Sequence, residues 1–277
     1  MIKSFLKFAA IVLIITNNIS SQSQKIWFPD NLNIQPFTAN VIEPKAGFEF
    51  LFGRDEIELN AGTSRDIYKV SDENSSLSFG ADFFTYSLLR SERDFHFPVD
   101  AIDYLFGVNA GYKIHDDNKE YGFRFRLSHI SAHFVDGHFD YSINSWRNGR
   151  PPQVYSREFI EIFPFIKFES LRLYAGFTYI FNITPENLGK TIYQTGFDYY
   201  LPDAGFGIFS PFIAYDFKLS KIEKYSGNNS FVVGVKFGHY ESKGFSIRFS
   251  YLSGKSIHGE YYDVNEEYTS IGFNLEL

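Results

Sequence analysis

Ser270-Ile271-Gly272-Phe273-Asn274-Leu275-Glu276-Leu277 closes the chain in strict alternation. Ile271, Phe273, Leu275 and Leu277 fall on one side, and Ser270, Gly272, Asn274 and Glu276 on the other. Successive side chains of a β-strand point to opposite faces, so the segment reads as a strand with one apolar and one polar face. Its order, polar-x-Gly-x-x-apolar-x-apolar, is the terminal signal that outer-membrane barrels present to their assembly machinery, here carried by Ser270, Gly272, Leu275 and Leu277. A last strand of this kind, with a flexible Gly, can join a growing sheet by strand pairing.

The same period of two runs back through the chain. Phe245, Ile247, Phe249 and Tyr251 alternate with Ser246, Arg248 and Ser250. Phe231, Val233, Val235 and Phe237 are interleaved with residues that include Lys236, and Phe48, Phe50 and Phe52 with Gly47, Glu49 and Leu51. No segment shows a 3.6-residue period, so the chain reads as all-β. Strands are expected near 44–53, 55–69, 76–89, 100–115, 119–135, 154–168, 170–182, 190–201, 205–219, 229–241, 244–254 and 267–277. The connections after even-numbered strands read as mostly tight turns, and those after odd-numbered strands as mostly longer loops, the first hairpin near Arg54 being the exception. The longest is Asp136–Gln153. That asymmetry is the habit of a transmembrane barrel, whose short turns face the periplasm.

Composition agrees. Mean hydropathy is −0.20, yet 19% of residues are aromatic, including 33 Phe and 19 Tyr. Beyond the first twenty or so residues no apolar run approaches the ~18 that a spanning helix needs. A barrel reconciles these facts, because only alternate residues meet lipid. The opposite set carries charge: Glu49, Glu56, Glu58, Asp82, Asp103, Arg124, Arg126, Arg172, Asp198, Asp216, Lys236, Arg248 and Glu276. An open sheet edge in lipid is costly, so the sheet must close, and these charges then line a lumen. In a barrel of about twelve strands that lumen is narrow, and cross-strand ion pairs are expected to fill much of it.

The organisation expected is a signal peptide over 1–21, a periplasmic lead-in over 22–43 and one outer-membrane barrel over 44–277. Lys3 and Lys7 precede the short apolar stretch Phe8–Ile15, and Ser20, Ser21 and Ser23 suit cleavage. Pro29, Pro36 and Pro44 mark the lead-in as extended. The chain has no Cys, which removes disulfides, thiolate metal sites and lipidation of an N-terminal cysteine. The formal charge of −7 disfavours nucleic acid as a partner. No metal and no cofactor is expected. The partners expected are outer-membrane lipid and, during biogenesis, the barrel-assembly machinery.

His129-Ile130-Ser131-Ala132-His133-Phe134-Val135-Asp136 is the segment with chemical potential. It combines with Phe37-Thr38-Ala39-Asn40, Glu43-Pro44-Lys45, Tyr155-Ser156-Arg157-Glu158 and Arg172-Leu173-Tyr174-Ala175-Gly176 leading to Pro185. In these residues the chain resembles a family of bacterial outer-membrane β-barrels classed as a domain of unknown function. It departs from that family at Ala132, where Ser is usual, and at Val135, where Gly is expected. The resemblance implies a barrel and no activity. His129 and Ser131 also resemble the His-x-Ser pair of outer-membrane phospholipases and lipid A deacylases, in which His is base to a Ser nucleophile. Those enzymes follow the Ser with Asn, where this chain has Ala132.

Residues i, i+2 and i+4 of a strand share a face, so His129, Ser131 and His133 lie together with Phe123, Phe125 and Leu127, towards lipid. An acid to orient the His would come from Glu158, Glu161 or Asp136. The plainer reading makes these polar side chains anchors to headgroups or loop backbone. Metal binding would require His129 and His133 to converge across about 13 Å of extended strand. The leading expectation is therefore a barrel without chemistry, a narrow passage or a structural and surface component. A lipid hydrolase using Ser131 and His129 is the alternative, and a soluble periplasmic lipophile-binding β-protein a third. Trp146-Arg147-Asn148-Gly149-Arg150-Pro151-Pro152 reads as a turn-rich surface loop, and Tyr199-Tyr200 and Tyr261-Tyr262 as interfacial girdle residues.

Overall fold

The computed structural model describes residues 23–43, 46–205, 207–222 and 224–276. The expected signal peptide, together with Leu277 of the terminal signal, lies outside the described residues. Twelve antiparallel strands form the wall. They are β1 (Ala46–Leu51), β2 (Glu56–Ser71), β3 (Ser75–Arg90), β4 (Val99–Asp116), β5 (Lys119–Phe134) and β6 (Tyr155–Phe168). They continue with β7 (Leu171–Thr184), β8 (Thr191–Tyr200), β9 (Phe209–Lys221), β10 (Tyr225–Phe237), β11 (Gly244–Lys255) and β12 (Asn265–Glu276). Each pairs with its neighbours in sequence, and β12 returns to pair with β1 from Ser270↔Leu51 to Leu275↔Ala46. The sheet is a closed barrel, so its backbone polar groups are satisfied within it. Loop lengths differ in places from the sequence reading. The β9–β10 connection shrinks to 222–224, because Tyr225–Asn228 pairs with β9, and the β8–β9 turn lengthens to 201–208.

The seam depends on glycine. Gly272 faces Glu49 across it, and a methyl built on Gly272 would lie 2.0 Å from the Phe48 carbonyl oxygen. Gly47 meets the Phe273 carbonyl oxygen at the same distance. Overpacking costs about 1–3 kcal/mol. Gly272→Val should therefore lower the urea midpoint of the barrel, read as loss of the fast-migrating unboiled band on a gel, while Ser253→Val on the neighbouring strand should not.

The faces sort by chemistry. Phe83, Phe106, Leu127, Phe177, Ile247 and Phe249 are exposed on the outer wall, and the large aromatics are not sandwiched between stacked sheets. Arg124, Arg126, Asp198, Asp216, Lys236 and Arg248 are buried inside. Arg172 is inside too, donating to Asp198 through Nε at 2.8 Å. Lys236 Nζ bonds the Ser242 carbonyl at 2.6 Å and pairs with Glu276.

The expected lead-in behaves differently. Gln24–Trp27 pairs with the short-turn end of β2, alongside Tyr68–Ser71. The chain then turns into the barrel. Ile34, Phe37, Ala39, Asn40 and Glu43 are buried there, so this segment is an internal plug rather than a free periplasmic strand. Lumen charges hold it. Asp198 accepts the Thr38 amide at 2.9 Å, and Arg172 donates to the Gln35 and Pro36 carbonyls at 2.7 and 2.6 Å. The Arg124 and Arg172 guanidinia both lie over the Phe37 ring, 4.8 and 4.5 Å from its centre, a doubly cation–π arrangement. At the plug's end Glu43 accepts from Arg124 at 2.7 Å and from Arg126 at 3.2 Å. Arg126, fully buried, also reaches Asp82 at 3.1 Å and Glu161 at 3.3 Å. Buried charges of this kind persist because each finds several opposite partners.

The long loops close the other end. His138 is buried, with Nδ1 at 2.9 Å from Asp100 and Nε2 at 2.8 Å from the Arg150 carbonyl, and its ring stacks on Phe134. Tyr261 donates to Asp100 at 2.5 Å, and Arg150 forks onto Asp263 at 2.8 and 3.2 Å. Tyr261 and Tyr200 therefore work as interior clasps rather than girdle residues, Tyr200 meeting Thr38 of the plug at 3.0 Å.

Candidate active site

β5 carries two separate surfaces. Its even residues from Arg124 to Ala132 are buried in the lumen, and its odd residues look outward. His129, Ser131 and His133 therefore lie on the outer wall near the long-loop end of the strand, together with Leu127 and Phe123. β6 pairs with β5 in a register that sets His129 opposite Glu158 and Ser131 opposite Ser156. This register spans the loop 135–154 and could not be read from local pattern.

The register brings an acid to the imidazole. His129 Nδ1 lies 2.7 Å from Glu158 Oε1, and both side chains are about three-quarters shielded, at 26% and 28% exposure. A carboxylate only accepts, so Nδ1 donates to it, and in the neutral imidazole Nε2 is then the acceptor nitrogen. Phe106, the cross-strand neighbour of His129 on β4, packs its ring 4.9 Å from the imidazole and limits its swing. Sequence reading overlooked Phe106. Ser131 follows two residues along the same face, about 7 Å further by Cα. Among the described residues no hydrogen bond joins its hydroxyl to His129. Such contacts often tighten only with substrate in place.

Of the three acids considered, Glu158 alone reaches the His. Glu161 is buried on the opposite face, bound to Arg124 and Arg126. Asp136 caps its own loop, accepting from the Gly137 amide at 3.0 Å. His133 leans on Tyr104, with ring centres 5.9 Å apart, and His138 is occupied inside the mouth. The three histidines do not converge, and no cluster of metal-ligating side chains occurs among the described residues.

Among the described residues, a cavity of about 410 Å³ lies beside the plug at the short-turn end and one of about 90 Å³ at the long-loop end.

The sequence signature of a family described as "Protein of unknown function (DUF1207)" matches residues 100–276. No curated protein matches the chain. Among solved structures it is similar to outer membrane phospholipase A from Escherichia coli, with TM-score 0.52 and 12% identity over 87% of this chain and 93% of that one. An active-site mutant of the same protein at pH 6.1 gives TM-score 0.56 and 13% identity, with the same coverage. The outer membrane phospholipase of Salmonella typhi, a dimer with bound calcium, gives 0.57 and 12% over 88% and 94%. At such identities the likeness establishes a shared barrel fold.

Proposed function

Because the chain belongs to the DUF1207 family, a membership that leaves the chemistry open, we propose an activity from the outer wall of the barrel: hydrolysis of acyl esters of membrane lipid. The observation that carries this reading is the 2.7 Å contact between His129 Nδ1 and Glu158, two residues from Ser131 on the same outward face. Ser131 is the nucleophile, His129 the base and Glu158 the acid that fixes the imidazole tautomer.

In this reading His129 Nε2 takes the Ser131 proton as Oγ attacks the ester carbonyl. The imidazolium, balanced by the Glu158 carboxylate, returns that proton to the departing lysolipid oxygen. Water, deprotonated by the same nitrogen, then frees the fatty acid and restores Ser131. Outward placement suits the substrate, whose acyl chains would lie along Leu127, Phe123 and Phe106. The likeness to outer-membrane phospholipases supports the lipid class. The chain is read as exported to the outer membrane of a Gram-negative bacterium after removal of residues 1–21, with the short turns in the periplasm and the Ser131 end in the outer leaflet. The filled lumen argues against the passage reading.

The test is covalent capture. Refolded protein treated with a long-chain alkylsulfonyl fluoride should gain one adduct, on Ser131 by mass spectrometry, and His129→Ala should lose that labelling. Protein that migrates as a folded barrel yet takes no label at Ser131 would remove the nucleophile and return the barrel to a structural or surface role.

A further inference from the structure

The 90 Å³ cavity under the long loops has a lopsided charge. Arg157, Lys218, Lys221 and Lys255 line it, and Asp216 is the one carboxylate among the described lining residues. Lys221 is exposed at the rim, and Lys255 donates to the Asp263 carbonyl at 2.6 Å. Arg157 on β6 and Lys218 on β9 are different: both sit on the lumen-facing positions of their strands. Among the described residues neither forms an ion pair. The Arg157 Nε is buried without a hydrogen-bond partner, and its guanidinium rests over the Phe159 ring at 5.6 Å.

Of the nearby carboxylates only Asp216, two positions from Lys218 on the same face, offsets their charge, and one positive charge is left over. Asp216 accepts from the Tyr174 hydroxyl and from Gln194 Nε2, both at 2.6 Å. Glu161 is shared between Arg124 and Arg126. Two like charges held apart from bulk water repel each other unless an anion lies between them. A guanidinium offers a planar fork to an oxoanion, and an ammonium supplies a mobile point charge beside it. One water-sized probe occupies roughly 10–15 Å³, so the space admits an anion of five heavy atoms with little to spare. The rest of the lining is largely apolar, with Ile42, Ile180, Ile183, Leu188 and Ile192 prominent. That surface excludes water and strengthens the attraction.

We propose that Arg157 and Lys218 form a lumenal binding site for a compact phosphate-class oxoanion, reached from the long-loop side. The continuous strand ladder separates this cavity from the bilayer, so the ligand is a dissolved one: inorganic phosphate or another tetrahedral oxoanion of that size. The site is independent of the hydrolase reading, because it lies on the other face of β6 from Glu158 and needs neither Ser131 nor His129.

The experiment uses the refolded full chain in a zwitterionic detergent, titrated calorimetrically with sodium phosphate at constant ionic strength and, in a second arm, with sodium sulfate. Saturable one-to-one binding in either arm is expected, and the tighter arm identifies the ligand. Lys218→Met and Lys218→Glu should each weaken binding about tenfold or more. Lys218→Glu supplies Arg157 with an internal partner, so it should fold at least as stably as the natural chain. Wild-type protein should unfold at higher temperature as phosphate rises, as any ligand of the folded state demands, and both variants should lose that dependence. A flat titration of the wild type, or equal affinity in a folded Lys218→Met, overturns the site. Binding seen only with vesicles carrying anionic lipid, and unchanged in Lys218→Met, overturns it as well.

Discussion

Ser131→Ala is expected to cut release of fatty acid from labelled phospholipid by about 10³-fold or more, with KM nearly unchanged. The hydroxyl forms and breaks the covalent bond; Ser156, its cross-strand partner on the same face, is the control, and Ser156→Ala should leave most of the activity. His129→Ala should cost as much, and the double variant hardly more than either one, because a nucleophile and its base act as a unit. Glu158→Gln isolates the acid. It preserves size and an acceptor for Nδ1 but removes the charge that balances the imidazolium, and should lower kcat by about 10²–10⁴-fold. Each variant must first show the compact, heat-modifiable gel band of the folded barrel. If Ser131→Ala releases fatty acid as fast as the natural protein, the assignment fails.

Arg126→Met should be the most damaging single change to stability. Arg126 touches Glu43, Asp82 and Glu161; its loss leaves Glu43 and Glu161 to Arg124 alone and Asp82 with only the neutral donors Ser64 and Asn109. Removing one partner from a buried ion cluster costs about 3–5 kcal/mol. Urea unfolding in lipid vesicles, followed by the fluorescence of Trp27 and Trp146, would measure it. Arg126 and Glu161 are register partners on the same two strands that pair His129 with Glu158 on the outside. The variant should therefore also lose activity at urea concentrations where the barrel is still closed. Unchanged stability would show that the carboxylates find other partners.

Much of this was legible in residue order. Alternation marked the twelve strands, and it separated the inner Arg124 and Arg126 from the outer His129 and Ser131 without any structure. Three-dimensional pairing supplied the rest. Glu158 was one of three acids in range, and the β5–β6 register, fixed across a twenty-residue connection, singled it out. The plug left no periodic trace, since Gln35–Glu43 is held by side chains as distant in sequence as Arg172 and Arg248. Residue order does not mark Arg157 and Lys218 as a pair, because an unpaired cation looks like any other until its surroundings are known.

The plug constrains biogenesis. Residues 31–43 lie within a ring that is completed when Asn265–Glu276 zips onto Ala46–Leu51. Translated first, this stretch is expected to be seated before the final two strands meet, since a shut cylinder offers no side door and leaves only the short-turn end. A synthetic peptide of the same sequence, added to a finished truncated barrel, should find its berth barred, whereas one present throughout refolding should be captured. Chronology, as much as affinity, puts the stopper in the bottle.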